Sequence, residues 1–274
     1  MGGASCGCGK VVSENNKVRL EFEHDGQVAR MWLAAPKANI IDQAMMTGLE
    51  RGFDELAGRH GLKAIVLSGE GPHFSFGASV QEHLPESIAA TLARLHALLR
   101  RIAEAPAPTI AAVRGQCLGG GLEVALACDL ILVEDDAQLG CPEIQLGVFP
   151  PAASAILPVR LGTGPAAGLV LSGAGITGIV ATEIGLANRT AASGELEKTL
   201  ADWLAAEFLP RSAAALRFAA QAVRRPLLRA LRYELPVLEC MYLEELMREP
   251  DAVEGIRAFM EKRPPNWRRS EATT

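Results

Sequence analysis

The segment "RGQCLGGGLEVALACDL" (residues 114–130) places three consecutive glycines directly before a carboxylate and an apolar run. Glycine is among the poorest helix formers, so three of them at the start of a helix cost stability. Bare backbone lets a ligand approach the main chain, and the first N–H groups of a helix carry a partial positive charge. The segment therefore predicts a strand-to-helix turn suited to an anion, with Glu123 close behind it.

Two classes of anion fit this turn: a phosphate group, and an oxyanion that develops during a reaction. The chain contains no GxxxxGK[ST], and no GxGxxG stands directly at the end of its first strand, which disfavours a phosphate-binding loop. The segment "GTGPAAG" (162–168) has the wrong spacing and contains a proline. Close packing of a helix on a sheet would explain the same glycines without any ligand, so the glycines alone leave that explanation open.

A second carboxylate, Glu143, follows Glu123 by twenty residues in "GCPEIQLGVFPP" (140–151). The helix, strand and loop between them are long enough to bring the chain back beside its start. Two carboxylates that face one cavity can hold a water molecule and exchange protons with a substrate. Either glutamate alone is better explained as structural. Together, beside an oxyanion turn, they predict an acid/base site.

The loop "HFSFGASVQEH" (73–83) follows an apolar strand at 63–69. Neighbouring parallel strands end at the same edge of a sheet, so Gly77-Ala78-Ser79 could bring a second backbone N–H to the glycine turn. Two N–H donors from different loops are the usual requirement for stabilising a carbonyl oxyanion. The loop's two histidines offer an alternative chemistry, but they are ten residues apart and the chain has no HxxxH zinc spacing. Its serine lacks the GxSxG elbow of serine hydrolases.

The remaining pattern predicts an α/β layered fold. Alternating residues at 17–34 around Asp25-Gly26 indicate a hairpin, and Asp42 is a typical helix cap. Continuous apolar strands are expected at 63–69 and 109–113, and helices dominate from about residue 151 onward. We find no internal repeat and no linker long enough to separate independent domains.

Composition excludes several classes of protein. The chain has 274 residues, is 49% hydrophobic and carries a formal net charge of −5, with no basic face for nucleic acid. No apolar run approaches the ~18–20 residues that span a bilayer. The N-terminus does not resemble a secretory signal, so a cytoplasmic location is expected. Cys6 and Cys8 lie in a glycine-rich stretch, residues 1–16, that is expected to be a disordered tail. The other four cysteines are expected to be small core residues.

Three segments resemble, in order and spacing, the enoyl-CoA hydratase/isomerase (crotonase) superfamily: "FSFGASVQE" (74–82), "GQCLGGGLEVALACDL" (115–130) and "GCPEIQLGVFP" (140–150). The segments "PKANIID" (36–42) and "EGIRAFMEKRPPNW" (254–267) are also similar to the family. The resemblance implies a crotonase-like ββα spiral core at 17–200 and a helical C-terminal trimerisation region at 201–274. It further implies a homohexamer, built as a dimer of trimers.

Carried onto this sequence, the resemblance assigns the oxyanion donors to the N–H groups of Ala78 and Gly120. It also implies that Glu123 and Glu143 are the catalytic pair, which holds the water molecule. Further positions implied to contact the acyl-CoA thioester are Lys37, Ala38, Phe76, Ser79, Val80, Gln81, Cys141, Pro151, Phe259 and Lys262. No metal and no cofactor is expected, because CoA is part of the substrate.

The sequence departs from the common family pattern around the acyl group. Ser79 replaces an aspartate, Phe76 adds bulk, Cys141 replaces a glutamine, and "FPPAAS" (149–154) replaces a glycine-rich segment. These changes resemble the hydratases of anaerobic benzoyl-CoA degradation. That resemblance implies conversion of cyclohexa-1,5-diene-1-carbonyl-CoA to 6-hydroxycyclohex-1-ene-1-carbonyl-CoA. The alternatives are a general enoyl-CoA hydratase and a family member whose main role is binding, such as an RNA-binding or assembly subunit. The acidic composition and the intact glutamate pair argue against the binding role.

Overall fold

The computed structural model describes residues 17–268, so the predicted tail with Cys6 and Cys8 lies outside the described residues. The strands are β1 (Val18–Glu23), β2 (Val28–Leu33), β3 (Ala64–Gly69), β4 (Thr109–Val113), β5 (Gln116–Leu118), β6 (Leu130–Glu134), β7 (Gln138–Gly140), β8 (Ile176–Thr177) and β9 (Arg189–Ala191). The helices are α1 (Gln43–Leu56), α2 (Ile88–Ala103), α3 (Gly120–Ala127), α4 (Pro151–Leu161), α5 (Thr163–Ser172), α6 (Gly178–Glu183), α7 (Leu196–Trp203), α8 (Ala213–Val223), α9 (Arg225–Arg229), α10 (Leu235–Cys240) and α11 (Pro250–Met260).

The larger of two sheets has the strand order β1-β2-β3-β4-β6-β9. Strands β1 and β2 form an antiparallel hairpin, and every other pair in this sheet is parallel. Every residue of β3 and β4 is buried, which explains why both read as continuous apolar runs. In the smaller sheet, β7 pairs with β5 in parallel and with β8 in antiparallel orientation. The predicted α/β class is confirmed.

Local sequence features set the first elements as expected. The turn between β1 and β2 holds His24, Asp25 and Gly26 at positive φ angles. The side chain of Asp42 accepts a 2.9 Å hydrogen bond from the N–H of Met45 and so caps α1. This cap satisfies one of the free donors at the start of that helix.

The C-terminal third is helical and packs back onto α2 and the loop after β7. A small apolar cluster joins α2, the loop after β7 and the C-terminal helices; its buried members are Ile88, Leu92, Val148, Tyr242, Ala252 and Ile256. Residues 225–245 run as α and π turns in alternation, and the π turn Ala230–Glu234 directly precedes α10, which contains Pro236. Within residues 17–268, none of the helices has the length and apolar character required to cross a membrane.

Candidate active site

Strand pairing in the smaller sheet brings the two predicted carboxylates together. Leu118 of β5 lies opposite Gly140 of β7, and the N–H of Gly119 donates a 2.9 Å hydrogen bond to the carbonyl of Gly140. Both strands end at this point, and each is followed within a few residues by a glutamate. Glu123 lies in the first turn of α3, and Glu143 lies in a 3-10 turn, Pro142–Leu146. Parallel pairing therefore explains how residues twenty positions apart meet.

The loop after β3 lies against the same glycine turn. The N–H of Ser75 donates to the carbonyl of Gln116, and the N–H of Leu118 donates back to the carbonyl of Ser75. Gly77 has a φ of 104°, and a side chain there would lie 2.9 Å from the carbonyl oxygen of Leu118. Only glycine fits this close approach of two backbones.

This approach places the two predicted N–H donors side by side. A Cβ atom added at Gly120 would lie 3.2 Å from the nitrogen of Ala78. Within the described part of the chain, neither of these N–H groups donates to a backbone acceptor. Two free donors from separate loops provide the geometry that an oxyanion requires.

Asn39 ties the loop before α1 to the loop that carries Ala78. Its buried amide donates to the carbonyls of Glu70 and His73 at 3.0 and 2.9 Å, and its Oδ1 accepts from the N–H of Ala35. Its own carbonyl accepts a hydrogen bond from the hydroxyl of Ser75. Because Asn39 is buried and all of these groups are paired, the bonds hold the donor loop against the loop before α1.

Glu123 is almost completely buried, with 4% of its surface exposed. Its Oε1 accepts a 2.9 Å hydrogen bond from the N–H of Ala153 in the first turn of α4. Burial raises the pKa of Glu123, and backbone hydrogen bonds from Ala153 and Ala152 offset part of that rise. The carboxyl therefore retains its proton to a higher pH than an ordinary glutamate.

Compared with that of Glu123, the carboxyl of Glu143 has fewer hydrogen bonds to offset its burial. Its Oε2 is buried and has no hydrogen-bond partner among the described residues. Burial raises the pKa of Glu143, and the negative charge of Glu123 raises it further. Two such carboxyls share protons near neutral pH, so that one can act as an acid while the other acts as a base.

The two glutamates line a small cavity of about 20 Å³, which has room for about one water molecule. Its wall is formed by Ala78, His83, Thr91, Leu92, Leu95, Glu123, Glu143, Val148, Phe149, Pro150, Pro151 and Tyr242. Most of these side chains are apolar, and a few polar groups converge on one region. This composition is typical of a small-molecule site.

Of the residues predicted from the sequence, Ala78, Glu123, Glu143 and Pro151 line this cavity, and Gly120 lies against Ala78. Cys141 is fully buried beside the pair; burial raises the pKa of its thiol, and the charges of both glutamates add to the rise. The other predicted contacts lie outside the cavity wall: Lys37, Ala38, Gln81, Phe259 and Lys262 at exposed or half-buried positions, and Ser79 and Val80 at the start of a 3-10 turn.

Phe76 differs from the expectation that it shapes the acyl pocket. It is 42% exposed, does not line the cavity, and packs its edge against His73 with ring centroids 4.8 Å apart. Phe74, Ser75 and Gly77 around it are buried, whereas the ring of Phe76 lies at the surface.

His83 and Tyr242 line the cavity although neither was assigned to the catalytic site from the sequence. The Nδ1 of His83 lies 2.8 Å from the carbonyl of Ser79, and burial lowers the pKa of this histidine. A neutral ring that donates from Nδ1 leaves its other nitrogen as an acceptor. Tyr242 comes from the C-terminal region, more than 90 residues beyond the motifs, so no local pattern connects it to them.

Almost all of the described chain is similar to one known family. The model of the family described as enoyl-CoA hydratase/isomerase matches residues 23–270. The chain belongs to this family. It is 45% identical over 253 residues to the cyclohexa-1,5-dienecarbonyl-CoA hydratase of Thauera aromatica, a match that covers 92% of this chain and 97% of that protein.

Two further members of the enoyl-CoA hydratase/isomerase family illustrate its range. A probable enoyl-CoA hydratase of Bacillus subtilis is 34% identical, with 89% of this chain and 96% of that protein covered. The crystal structure of an enoyl-CoA hydratase from Mycobacterium avium subsp. paratuberculosis superimposes with a TM-score of 0.80 at 25% identity, covering 92% and 99% of the two chains. The predicted crotonase-like fold is thereby confirmed.

Proposed function

We propose that the protein is a hydro-lyase that adds water to a conjugated double bond of an acyl-CoA thioester. The observation that carries this proposal is the pair of buried carboxyls with raised pKa values beside two free N–H groups. The donors of Ala78 and Gly120 would polarise the thioester carbonyl and make its β-carbon electrophilic. The ionised glutamate would take a proton from the water as its oxygen bonds to that carbon, and the protonated glutamate would return a proton to the substrate.

The substrate we propose is cyclohexa-1,5-diene-1-carbonyl-CoA. The name of the Thauera aromatica relative supports this choice. The rigid Pro150-Pro151 segment in the cavity wall supports it too. Water oxygen would bond to the β-carbon, and the resulting negative charge would be delocalised as a dienolate. A proton added at the far end of the diene would then give 6-hydroxycyclohex-1-ene-1-carbonyl-CoA, a reaction of anaerobic benzoyl-CoA degradation in the cytoplasm.

This reaction would need no metal or redox cofactor. The thioester carbonyl accepts the electrons that move when water adds, and CoA enters and leaves as part of the substrate. The protein's contribution is orientation, two hydrogen-bond donors and two carboxyls that exchange protons.

We expect the cyclic dienoyl-CoA to exceed crotonyl-CoA by at least ~10-fold in kcat/KM, because an apolar pocket discriminates by about 1–3 kcal/mol for each misfitted methylene. Since Phe76 lies outside the cavity, the preference should depend on the residues of the wall. Replacing Pro151 with glycine should reduce it, while Phe76→Ala should leave it within ~2-fold. Initial rates on both esters would measure this.

A general enoyl-CoA hydratase is the second candidate function, favoured by the similarity to the Bacillus subtilis protein. The same rates distinguish the two functions. Equal or faster turnover of crotonyl-CoA by the unaltered protein would exclude the cyclic substrate and leave the proposed hydration chemistry intact.

We further propose that the protein forms a homohexamer. Five large apolar side chains between the start of α8 and the π turn Met241–Glu245 are exposed: Phe218, Val223, Tyr233, Val237 and Met241. Other apolar side chains of the same region are covered within the single chain. Leu235 is buried, and Leu238, Leu243, Leu246 and Met247 are half-buried. Apolar surface of this extent is typical of a subunit interface.

Light scattering at micromolar concentration should therefore give a mass of about six chains. The double variant Phe218→Ser, Val237→Ser should shift the population to smaller species, because it places polar groups in an apolar interface. A stable monomer of the unaltered protein would contradict the hexamer.

A further inference from the structure

Tyr242 is a buried polar residue that the proposed mechanism does not use. Its side chain is 1% exposed, and its hydroxyl has no hydrogen-bond partner among the described residues. The ring packs edge-on against Phe149, with centroids 5.5 Å apart. Buried polar groups are nearly always paired in folded proteins, so an unpaired hydroxyl needs an explanation.

The helix that carries Tyr242 is fixed against α2. Three residues earlier, the carboxylate of Glu239 lies 2.5 Å from the Nδ1 of the buried His96. Tyr242 itself lies in the π turn Met241–Glu245, and π turns occur frequently at functional sites. The position of the hydroxyl is therefore set by the fold.

Tyr242 lines the same cavity as Glu143, whose Oε2 is also buried and unpaired. Burial raises the pKa of Tyr242, and the nearby charges of Glu143 and Glu123 raise it further. The hydroxyl consequently keeps its proton and remains a hydrogen-bond donor. A donor and an acceptor without protein partners thus face one small cavity, and a water molecule or a hydroxyl group could satisfy both.

We propose that the Tyr242 hydroxyl donates a hydrogen bond to the oxygen atom that is added to the substrate. Before the reaction this oxygen belongs to the water held by the Glu143 carboxyl, and afterwards it belongs to the hydroxyl of the product. The phenol O–H bond stays intact, and the proton exchange remains with the glutamates. This role rests on the proposed hydration reaction and makes Tyr242 a third side chain that orients the nucleophile.

The test is Tyr242→Phe, with Tyr233→Phe as a matched control, because Tyr233 is the other tyrosine of the chain and does not line the cavity. We expect kcat to fall at least ~10-fold in the first variant with KM within ~2-fold, since a donor to the reacting oxygen is lost. The control should match the unaltered protein. The midpoint of thermal unfolding should stay the same or rise, because an unpaired buried hydroxyl is removed.

A binding measurement separates this role from a structural one. The unaltered protein should bind 6-hydroxycyclohex-1-ene-1-carbonyl-CoA more tightly than cyclohex-1-ene-1-carbonyl-CoA, and Tyr242→Phe should remove most of that difference. An unchanged kcat or an unchanged binding difference would overturn the proposal, as would an equal loss of affinity for both esters with a lower unfolding midpoint. Retained activity in Tyr242→Phe with lost activity in Glu143→Gln would overturn the tyrosine's role alone. An inactive unaltered protein would overturn the proposed function. The binding difference between the two esters would still show whether Tyr242 contacts the product hydroxyl.

Discussion

Replacing Glu143 or Glu123 by glutamine is expected to lower kcat by about 10²–10⁴, the range typical of a lost acid/base group. Glutamine has nearly the same shape, but it cannot take up or release the proton. Binding of the CoA ester should persist, because the N–H groups of Ala78 and Gly120 remain in place. Single-turnover rates and ester affinity, measured on the same preparations, would check both expectations.

The pH dependence gives a second test of the pair. Below the raised pKa values both glutamates hold protons and no base remains, so kcat/KM of the unaltered protein should fall as the pH drops. Because both pKa values are raised, this fall should occur well above the usual glutamate value of about 4.3. The control variant Glu183→Gln, at an exposed position of α6, should behave like the unaltered protein. Near-normal turnover in either active-site variant would remove that glutamate from the mechanism.

Replacing Gly119 by alanine is expected to lower kcat at least ~10²-fold, the size of effect that follows from displacing a catalytic group by about 1 Å. A Cβ atom at this position would lie 2.6 Å from Oε1 of Glu143. The carboxyl would have to move, or the turn that carries Gly120 would have to open. Gly119 also adopts φ 49° and ψ −127°, a conformation that residues with a side chain rarely adopt.

The control variant Gly185→Ala introduces backbone strain without displacing the carboxyl of Glu143. Gly185 also has a positive φ, 81°, but a Cβ atom there would meet nothing within 4 Å. Both variants should lose stability, as measured by denaturant unfolding, while only Gly119→Ala should lose kcat out of proportion. Equal activities of the two folded variants would show that the geometry around Gly119 does not set the rate.

Much of the fold can be predicted from the sequence because its determinants are local. Continuous apolar segments predict β3 and β4, and Asp42 predicts the start of α1. The convergence of Glu123 and Glu143 is predictable only as a possibility. It depends on the pairing of β5 with β7, two three-residue strands that are too short to leave a periodic pattern.

The features that could not be predicted from the sequence depend on long-range contacts. The direction in which Phe76 points depends on which side chains of an irregular loop pack against the glycine turn, and a motif does not reveal them. Tyr242 reaches the cavity because the C-terminal helices fold back over α2. In the sequence Tyr242 stands among apolar residues such as Met241 and Leu243, so its neighbours give no sign of a polar role.

The most direct test of the account is to incubate the protein with cyclohexa-1,5-diene-1-carbonyl-CoA in ¹⁸O-labelled water and to identify the product by mass spectrometry and NMR. The account predicts 6-hydroxycyclohex-1-ene-1-carbonyl-CoA with the label in the ring hydroxyl and an intact thioester, and almost none of it with Glu143→Gln. Unchanged ester, or free CoA with the label in a carboxylate, would contradict the claim that this glutamate pair adds water to a conjugated ring.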